Sequence, residues 1–281
     1  MLVISDIKVL RATVKAWRQE GHTVAFVPTM GNLHQGHLKL VDEARQRADK
    51  VIVSIFVNPM QFGANEDLAK YPRTLAEDCA GLTDHQADAV FTPTPELIYP
   101  KGLDVQTAVD VPFIGDNHCG ASRPGHFRGV STIVTKLFNL VQPDIALFGK
   151  KDYQQLAVIR ALTIDLSFPI EIIGIDTERA SDGLALSSRN GYLSTEQRAT
   201  APLIYQQLQW LAQQIRDQAA SDFRALEQQV RETLSQAGFR PDYVNICQRH
   251  NLELANDSKS PLVILLAAYL GTTRLIDNLE V

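Results

Sequence analysis

Cysteine is scarce in this chain of 281 residues: Cys79, Cys119 and Cys247 are odd in number and far apart, and no C-x-x-C pair occurs. That excludes a disulfide framework and a cysteine-built zinc site, and it reads as reduced thiols in a cytosolic protein. Long hydrophobic runs are missing too. The longest, residues 262–270, is about half the length of a membrane helix. Residues 1–6 have no basic segment leading into an apolar stretch, so no cleaved signal is expected and the expected compartment is the cytoplasm. There is no excess of positive charge: 27 Lys and Arg face 32 Asp and Glu, a net charge of −5. A protein that binds a polynucleotide by neutralising its phosphates shows the opposite balance, so neither nucleic acid nor membrane is an expected partner.

Other absences narrow the chemistry. The chain has no Walker A sequence and no G-x-G-x-x-G fingerprint, which argues against P-loop and dinucleotide chemistry. Repeats, low-complexity tracts and charge blocks are also lacking.

What is present is an alternation. Short apolar, β-branched runs at 24–27, 51–57, 89–91, 145–148 and 170–175 read as strands buried on both faces. Between them, Leu38, Val41, Ala44 and Ala48 share one helical face. Val130, Ile133, Val134, Leu137, Phe138 and Val141 form another helical stripe. This predicts a Rossmann-like, doubly wound parallel α/β domain over 1–176, with ligands beyond the carboxyl ends of its strands. The pattern changes near 177. Ser194 and Gln197 form a capping box opening a helix to about 219, and Ser221 and Asp222 open a second that Gly238 closes. Strands at 243–247, 262–270 and 275–279 complete a smaller C-terminal α+β domain over 177–281.

The sharpest motif is Pro28-Thr-Met30-Gly31-Asn32-Leu33-His34-Gln35-Gly36-His37, set between the first buried strand and the first amphipathic helix. With seven His and sixteen Gly in the chain, chance matches to H-x-G-H number on the order of 0.01. A helix N-terminus offers unpaired N–H groups and a positive dipole end, and two imidazoles add donors that tighten as charge builds on a phosphoryl group. Gly149-Lys150-Lys151-Asp152 follows another strand. Asp152 suits an N-cap, but two lysines beside a helix N-terminus are repelled by its dipole unless an anion sits there. The 182–190 loop carries Leu186-Ser187-Ser188-Arg189, hydroxyls and a guanidinium that suit polyphosphate oxygens. Gln61, after the strand ending at 57, and Gln155 offer neutral amides for hydroxyl and carboxylate groups. By themselves these residues point to a nucleotidyl-transfer enzyme using ATP at an α/β pocket, with the acceptor open.

Taken together they resemble the pantoate–β-alanine ligase family within the H-x-G-H nucleotidyltransferases. The likeness is carried by PTMGNLHQGH at 28–37, VSIFVNPMQFG at 53–63, YPRTLAED at 71–78, RPGHFRGVSTIVTKLFN at 123–139, PDIALFGKKDYQQLAVIR at 143–160, DGLALSSRN at 182–190 and GTTRLIDN at 271–278. The resemblance implies that (R)-pantoate attacks the α-phosphate of ATP to form a pantoyl adenylate, which β-alanine then converts to pantothenate and AMP. It implies Mg²⁺, a cytoplasmic homodimer, and a C-terminal domain serving as lid and dimer element. By position, Met30 to His37 line the ATP site with His34 and His37 at the phosphates, and His37 is the residue usually given the acid role. Gln61 and Gln155 hold pantoate, with Gln61 also towards β-alanine. Gly149, Lys150, Lys151 and Asp152 contact the nucleotide. Ser187, Ser188 and Arg189 close over the polyphosphate, with Leu186 in place of a methionine and the backbone near Glu178 at adenine. Some members place a metal at acidic residues matching Glu77 and Asp78. The next position in that set is Gly81, which has no ligating side chain, so the ion is expected mainly on ATP oxygens and water. The alternatives are another H-x-G-H nucleotidyltransferase acting on a small hydroxy acid, and a non-catalytic nucleotide sensor, which need not retain every one of these residues.

Overall fold

The computed structural model describes residues 1–63, 68–217 and 222–281. The chain forms two compact units, one of residues 1–150 and 155–176, the other of residues 151–154 and 177–281. The short segment 151–154 thus groups with the C-terminal residues, whereas a single division at 176 is what the sequence pattern suggests.

The first unit is a six-stranded parallel sheet. Its strands are β1 (Leu2–Ile4), β2 (Val24–Thr29), β3 (Lys50–Ile55), β4 (Ala89–Phe91), β5 (Ile145–Gly149) and β6 (Glu171–Ile175), in the order β1-β4-β3-β2-β5-β6. The central residues of β2 and β3 and all of β4 are buried because their Val, Ile, Phe and Ala side chains are apolar on both faces, as a sheet covered by helices on both sides requires. The helices are α1 (Ile7–Gln19), α2 (Gln35–Arg45), α3 (Leu75–Asp84), the short α4 (Pro95–Ile98) and α5 (Cys119–Ser122), α6 (His126–Val141) and α7 (Tyr153–Asp165). Leu40, Val41 and Ala44 of α2 bury against Ala25, Val27, Val51 and Val53 of the sheet, each large aliphatic contributing about 1.5–3 kcal/mol. Ala48 lies beyond the end of α2, packed partly against the same cluster. The strand order reverses between β2 and β5. The crevice at that switch point is bounded by the chain leaving β2 at residue 30 and the chain leaving β5 at Gly149.

The second unit holds an antiparallel sheet in the order β7-β8-β9, from β7 (Phe239–Gln248), β8 (Leu262–Leu270) and β9 (Thr273–Glu280). Helices α8 (Thr195–Thr200), α9 (Leu203–Asp217) and α10 (Phe223–Gln236) belong to the same unit. Leu208, Leu211, Ala212 and Val230 of α9 and α10 share one buried cluster with Ile264, Leu266 and Ala268 of β8. Ser194 and Gln197 form the expected capping box. The helix it opens stops at Thr200 and a new one starts at Leu203, because Pro202 has no N–H to continue the ladder. Asp222 caps α10 by accepting from the N–H groups of Arg224 and Ala225, while Ser221 and the expected helix end near 219 lie outside the described residues. No helix among the described residues is long and apolar enough to cross a membrane.

Candidate active site

The H-x-G-H segment builds the N-terminus of α2. His34 is the N-cap residue, in extended backbone, and its Nδ1 accepts from the N–H of Gly36 at 3.1 Å. The His34 N–H in turn points at Nδ1 of His37 across a longer 3.4 Å. These contacts make a capping box in which two imidazoles replace the usual hydroxyl and carboxylate. A ring nitrogen that accepts carries no proton, so both rings are assigned as neutral Nε2–H tautomers. The rings lie 4.1 Å apart, centroid to centroid, with 37° between their planes. Two neutral Nε2–H donors beside the positive end of a helix suit a phosphoryl group that gains charge during reaction.

The turn that delivers these histidines is held from α3. Gly31 and Asn32 both have positive φ, +82° and +51°. The carboxylate of Asp78 accepts from the N–H groups of Asn32 (2.9 Å) and Leu33 (2.8 Å) and from the Thr74 hydroxyl (3.2 Å). A Cβ on Gly31 would come within 3.1 Å of that carboxylate and 3.0 Å of Ile55 Cγ2, which explains the glycine.

The same geometry bears on the metal expected at Glu77 and Asp78 in the resemblance. Asp78 is only 4% exposed and both of its oxygens serve backbone N–H groups, while the neighbouring Glu77 is exposed. Adjacent helical residues diverge by about 100°, so the two carboxylates do not converge. Among the described residues no group of three or more His, Cys, Asp and Glu side chains could hold a metal ion. Asp78 is thus engaged by the turn, and Glu77 and Asp78 do not form a shared carboxylate pair.

Gln61 sits at the end of a 3₁₀ turn, Pro59–Gln61, that follows β3. Its Nε2 lies 3.0 Å from the sulfur of Met30, which brings the amide beside the turn leaving β2. Asn58 orients it: the Asn58 Nδ2 donates to Gln61 Oε1 (3.1 Å) and to the carbonyl of Gly129 (3.1 Å), and the Tyr99 hydroxyl donates to Asn58 Oδ1 (2.7 Å). Burial pushes the Tyr99 phenol well above its ordinary range, so it stays a donor. His126 Nδ1 meets the Gln61 carbonyl at 2.9 Å, and its Nε2 lies 2.9 Å from Arg123 Nη1. Asn58, Tyr99, Arg123 and His126 thus surround Gln61. Asn58, Arg123 and His126 lie in stretches that carry the resemblance, but nothing in their spacing marks them out.

Gly149 ends β5, and Lys150–Asp152 form a 3₁₀ turn running directly into α7. Asp152 therefore lies within helical backbone and does not stand outside the helix as its N-cap. Lys150 Nζ lies 2.6 Å from Asp176, whose carboxyl the lysine's hydrogen bond holds below the usual range. A protein carboxylate thus offsets this lysine's position near the helix start. Gln155 is half-buried in the first turn of α7.

In the second unit, residues 178–186 fold back on themselves. The Leu186 N–H donates to the Glu178 carbonyl, Arg179 pairs with Ala185, and Gly183 turns at a φ of +91°. Ser187 then caps a 3₁₀ turn, Ser188–Tyr192, by accepting from the Arg189 N–H at 3.2 Å. Lys151 is half-buried and belongs to this unit. The histidines and Gln61 are therefore carried by the first unit, and Lys151 with Ser187, Ser188 and Arg189 by the second.

The chain is similar to known proteins over nearly its whole length. A family model described as pantoate-beta-alanine ligase matches residues 2–280. The chain is 60% identical over 278 residues to a pantothenate synthetase of Shewanella halifaxensis, covering 99% of this chain and 98% of that protein. It is 58% identical to one of Aeromonas hydrophila, covering 99% and 97%. The crystal structure of pantothenate synthetase from Thermus thermophilus matches with a TM-score of 0.92 at 42% identity, over 100% of this chain and 99% of that one. A pantoate-beta-alanine ligase from Francisella tularensis, complexed with beta-gamma ATP and beta-alanine, matches with a TM-score of 0.82 at 34% identity, over 100% and 97%.

Proposed function

The chain belongs to the pantoate–β-alanine ligase family, and from that premise we propose how its residues divide the reaction. It is an ATP-dependent ligase that joins (R)-pantoate to β-alanine. In the first half-reaction a pantoate carboxylate oxygen bonds to the α-phosphorus of ATP and pyrophosphate leaves. In the second, the β-alanine nitrogen bonds to the acyl carbon of the pantoyl adenylate, the bond to AMP breaks, and the amine gives up a proton.

His34 and His37 donate their Nε2–H groups to oxygens of the α-phosphoryl group. We assign them charge stabilisation in place of the acid role, since in-line phosphoryl transfer depends on positioning and electrostatics, and since both Nδ1 atoms already accept from backbone N–H groups. The mutual capping of the two imidazoles at the head of α2 is the observation that carries the reading. Gln61 and Gln155 hold pantoate through neutral amides, which do not attack a mixed anhydride. Met30 to His37, Gly149 to Asp152, Glu178 and Leu186 border the nucleotide, and Lys151, Ser187, Ser188 and Arg189 take the phosphate oxygens that depart. Mg²⁺ would screen the charge of the triphosphate, and Asp78, engaged by the Asn32–Leu33 turn, would hold that turn and not the ion. The expected working form is a cytoplasmic homodimer.

The test is product analysis with ATP, pantoate and β-alanine. AMP and pyrophosphate are expected, with pyrophosphate released by pantoate alone in a single turnover. ADP would place attack at the γ-phosphate and overturn the reading. A stable nucleotide conjugate insensitive to β-alanine would show a nucleotidyltransferase, and ATP binding without pyrophosphate release would show a sensor.

A further inference from the structure

The stretch GTTRLIDN at 271–278 has no part in the reaction as set out above, yet its last two residues meet both phosphate-binding segments of their unit. Asp277 and Asn278 are 5% and 7% exposed. Being consecutive in β9, they point to opposite faces of the sheet. On one face, the Asp277 carboxylate takes the Arg179 guanidinium through both Nη atoms, at 2.6 and 2.9 Å. Arg179 also donates to the Gly183 carbonyl at 3.1 Å and lies 3.7 Å over the ring of Tyr205. It thus pins the folded-back segment whose exit is Ser187, Ser188 and Arg189. On the other face, Asn278 Nδ2 donates to the backbone carbonyl of Lys151 at 2.9 Å. Two residues on, and on that same face, Glu280 accepts from the Tyr153 hydroxyl at 2.8 Å. Asp277 Oδ1 also accepts the Asn278 N–H at 2.8 Å, which ties the two anchors together.

We propose that Asp277 and Asn278 are positioning residues for phosphoryl transfer: one dipeptide of β9 sets the backbone of Lys151 and the segment leading to Ser187–Arg189 in one fixed frame. The proposal rests on the reading that Lys151 and Ser187–Arg189 bind the phosphates. A lysine side chain and a loop that must be ordered on binding lose conformational entropy at that step, and anchoring their backbone beforehand reduces the loss. The bidentate, desolvated Arg179–Asp277 pair is directional enough to define a geometry, and Asn278 gives the Lys151 carbonyl a side-chain donor from β9.

The experiment is a double-mutant cycle on the full chain, reading single-turnover pyrophosphate release from ATP and pantoate. Asn278→Ala is expected to slow adenylate formation by about tenfold to a hundredfold, the scale of an ångström's misplacement, and to leave the KM for β-alanine unchanged. In a Lys151→Ala background the same substitution is expected to add nothing, because a residue acting through Lys151 has nothing left to position. Arg179→Lys, which keeps the charge and loses the two-pronged grip, is expected to be non-additive with Arg189→Ala in the same way. Should Asn278→Ala fold poorly, Asn278→Ser carries the same comparison with a shorter donor. Additive losses, or an unaltered rate in a folded Asn278 variant, would overturn the proposal. A Lys151→Ala enzyme with an unaltered rate is a different result: it removes the phosphate reading itself.

Discussion

The imidazole of His37 receives the backbone N–H of His34, while His34 caps the helix in whose first turn His37 stands, so the two rings are held by one shared cap. Their tautomers are set by main-chain geometry.

His37→Ala is therefore expected to lower single-turnover adenylate formation by about 10²–10³, as for loss of one preorganised donor. His34→Ala should add a stability loss of about 0.5–2 kcal/mol, because it also removes the N-cap. Thermal unfolding together with pyrophosphate bursts separates the two effects. An undiminished burst in the His37 variant would remove that ring from the chemistry.

Asp78→Asn tests whether that carboxylate is a clamp or a metal ligand. The amide's NH₂ turns a donor towards backbone N–H groups that need an acceptor, which should cost about 1–3 kcal/mol and slow adenylation. The Mg²⁺ concentration for half-maximal rate should stay where it is. A shift of about tenfold or more, the size expected when metal coordination is disturbed, would make Asp78 a ligand after all.

Gly129→Ala should reach Gln61 from behind. A Cβ at 129 would stand 2.4 Å from the Met60 carbonyl oxygen and 2.6 Å from Gln61 Cα, so helix α6 or the 3₁₀ turn must move. We expect a loss of about 1–3 kcal/mol from overpacking and a raised KM for pantoate. A wild-type KM would take the turn out of the substrate site.

Alkaline stability should report on Tyr153. Burial first, and then the hydrogen bond and charge of Glu280, push its phenol up to about 12. In the unfolded chain it titrates near about 10. Between those values the unfolded state binds fewer protons than the folded one, so stability is fully present below pH 10 and falls as pH rises towards 12. Urea midpoints measured across this window should fall less steeply for Tyr153→Phe than for the parent. Identical slopes would show that Tyr153 is not the group being titrated.

Much of the fold is legible in the residues, because each signal is local. Continuous apolar runs mark β2 to β5, a 3.6-residue stripe marks α6, and H-x-G-H lies at a strand-to-helix turn. The first elements are harder to read. β1 is a three-residue edge strand with two exposed side chains, so it carries neither alternation nor a buried run. α1 does carry a helical stripe, Ile7, Leu10, Val14 and Trp17, behind the Asp6 cap, which the strand alternation alone does not bring out. The break between α8 and α9 was available in Pro202.

By itself the amino-acid sequence determined the parallel α/β architecture, the family and the placing of two imidazoles at a helix start, since hydrophobic period, capping chemistry and short motifs act over a few residues. Only the tertiary structure decided that Asp78 serves the Asn32–Leu33 turn, that Lys150 is held by Asp176, and that Asp277 and Asn278 reach Arg179 and Lys151. Those partners stand 26 to 127 positions apart. A carboxylate or amide looks the same in sequence whether it awaits an ion, water or a backbone group, and only folding brings up the group that satisfies it.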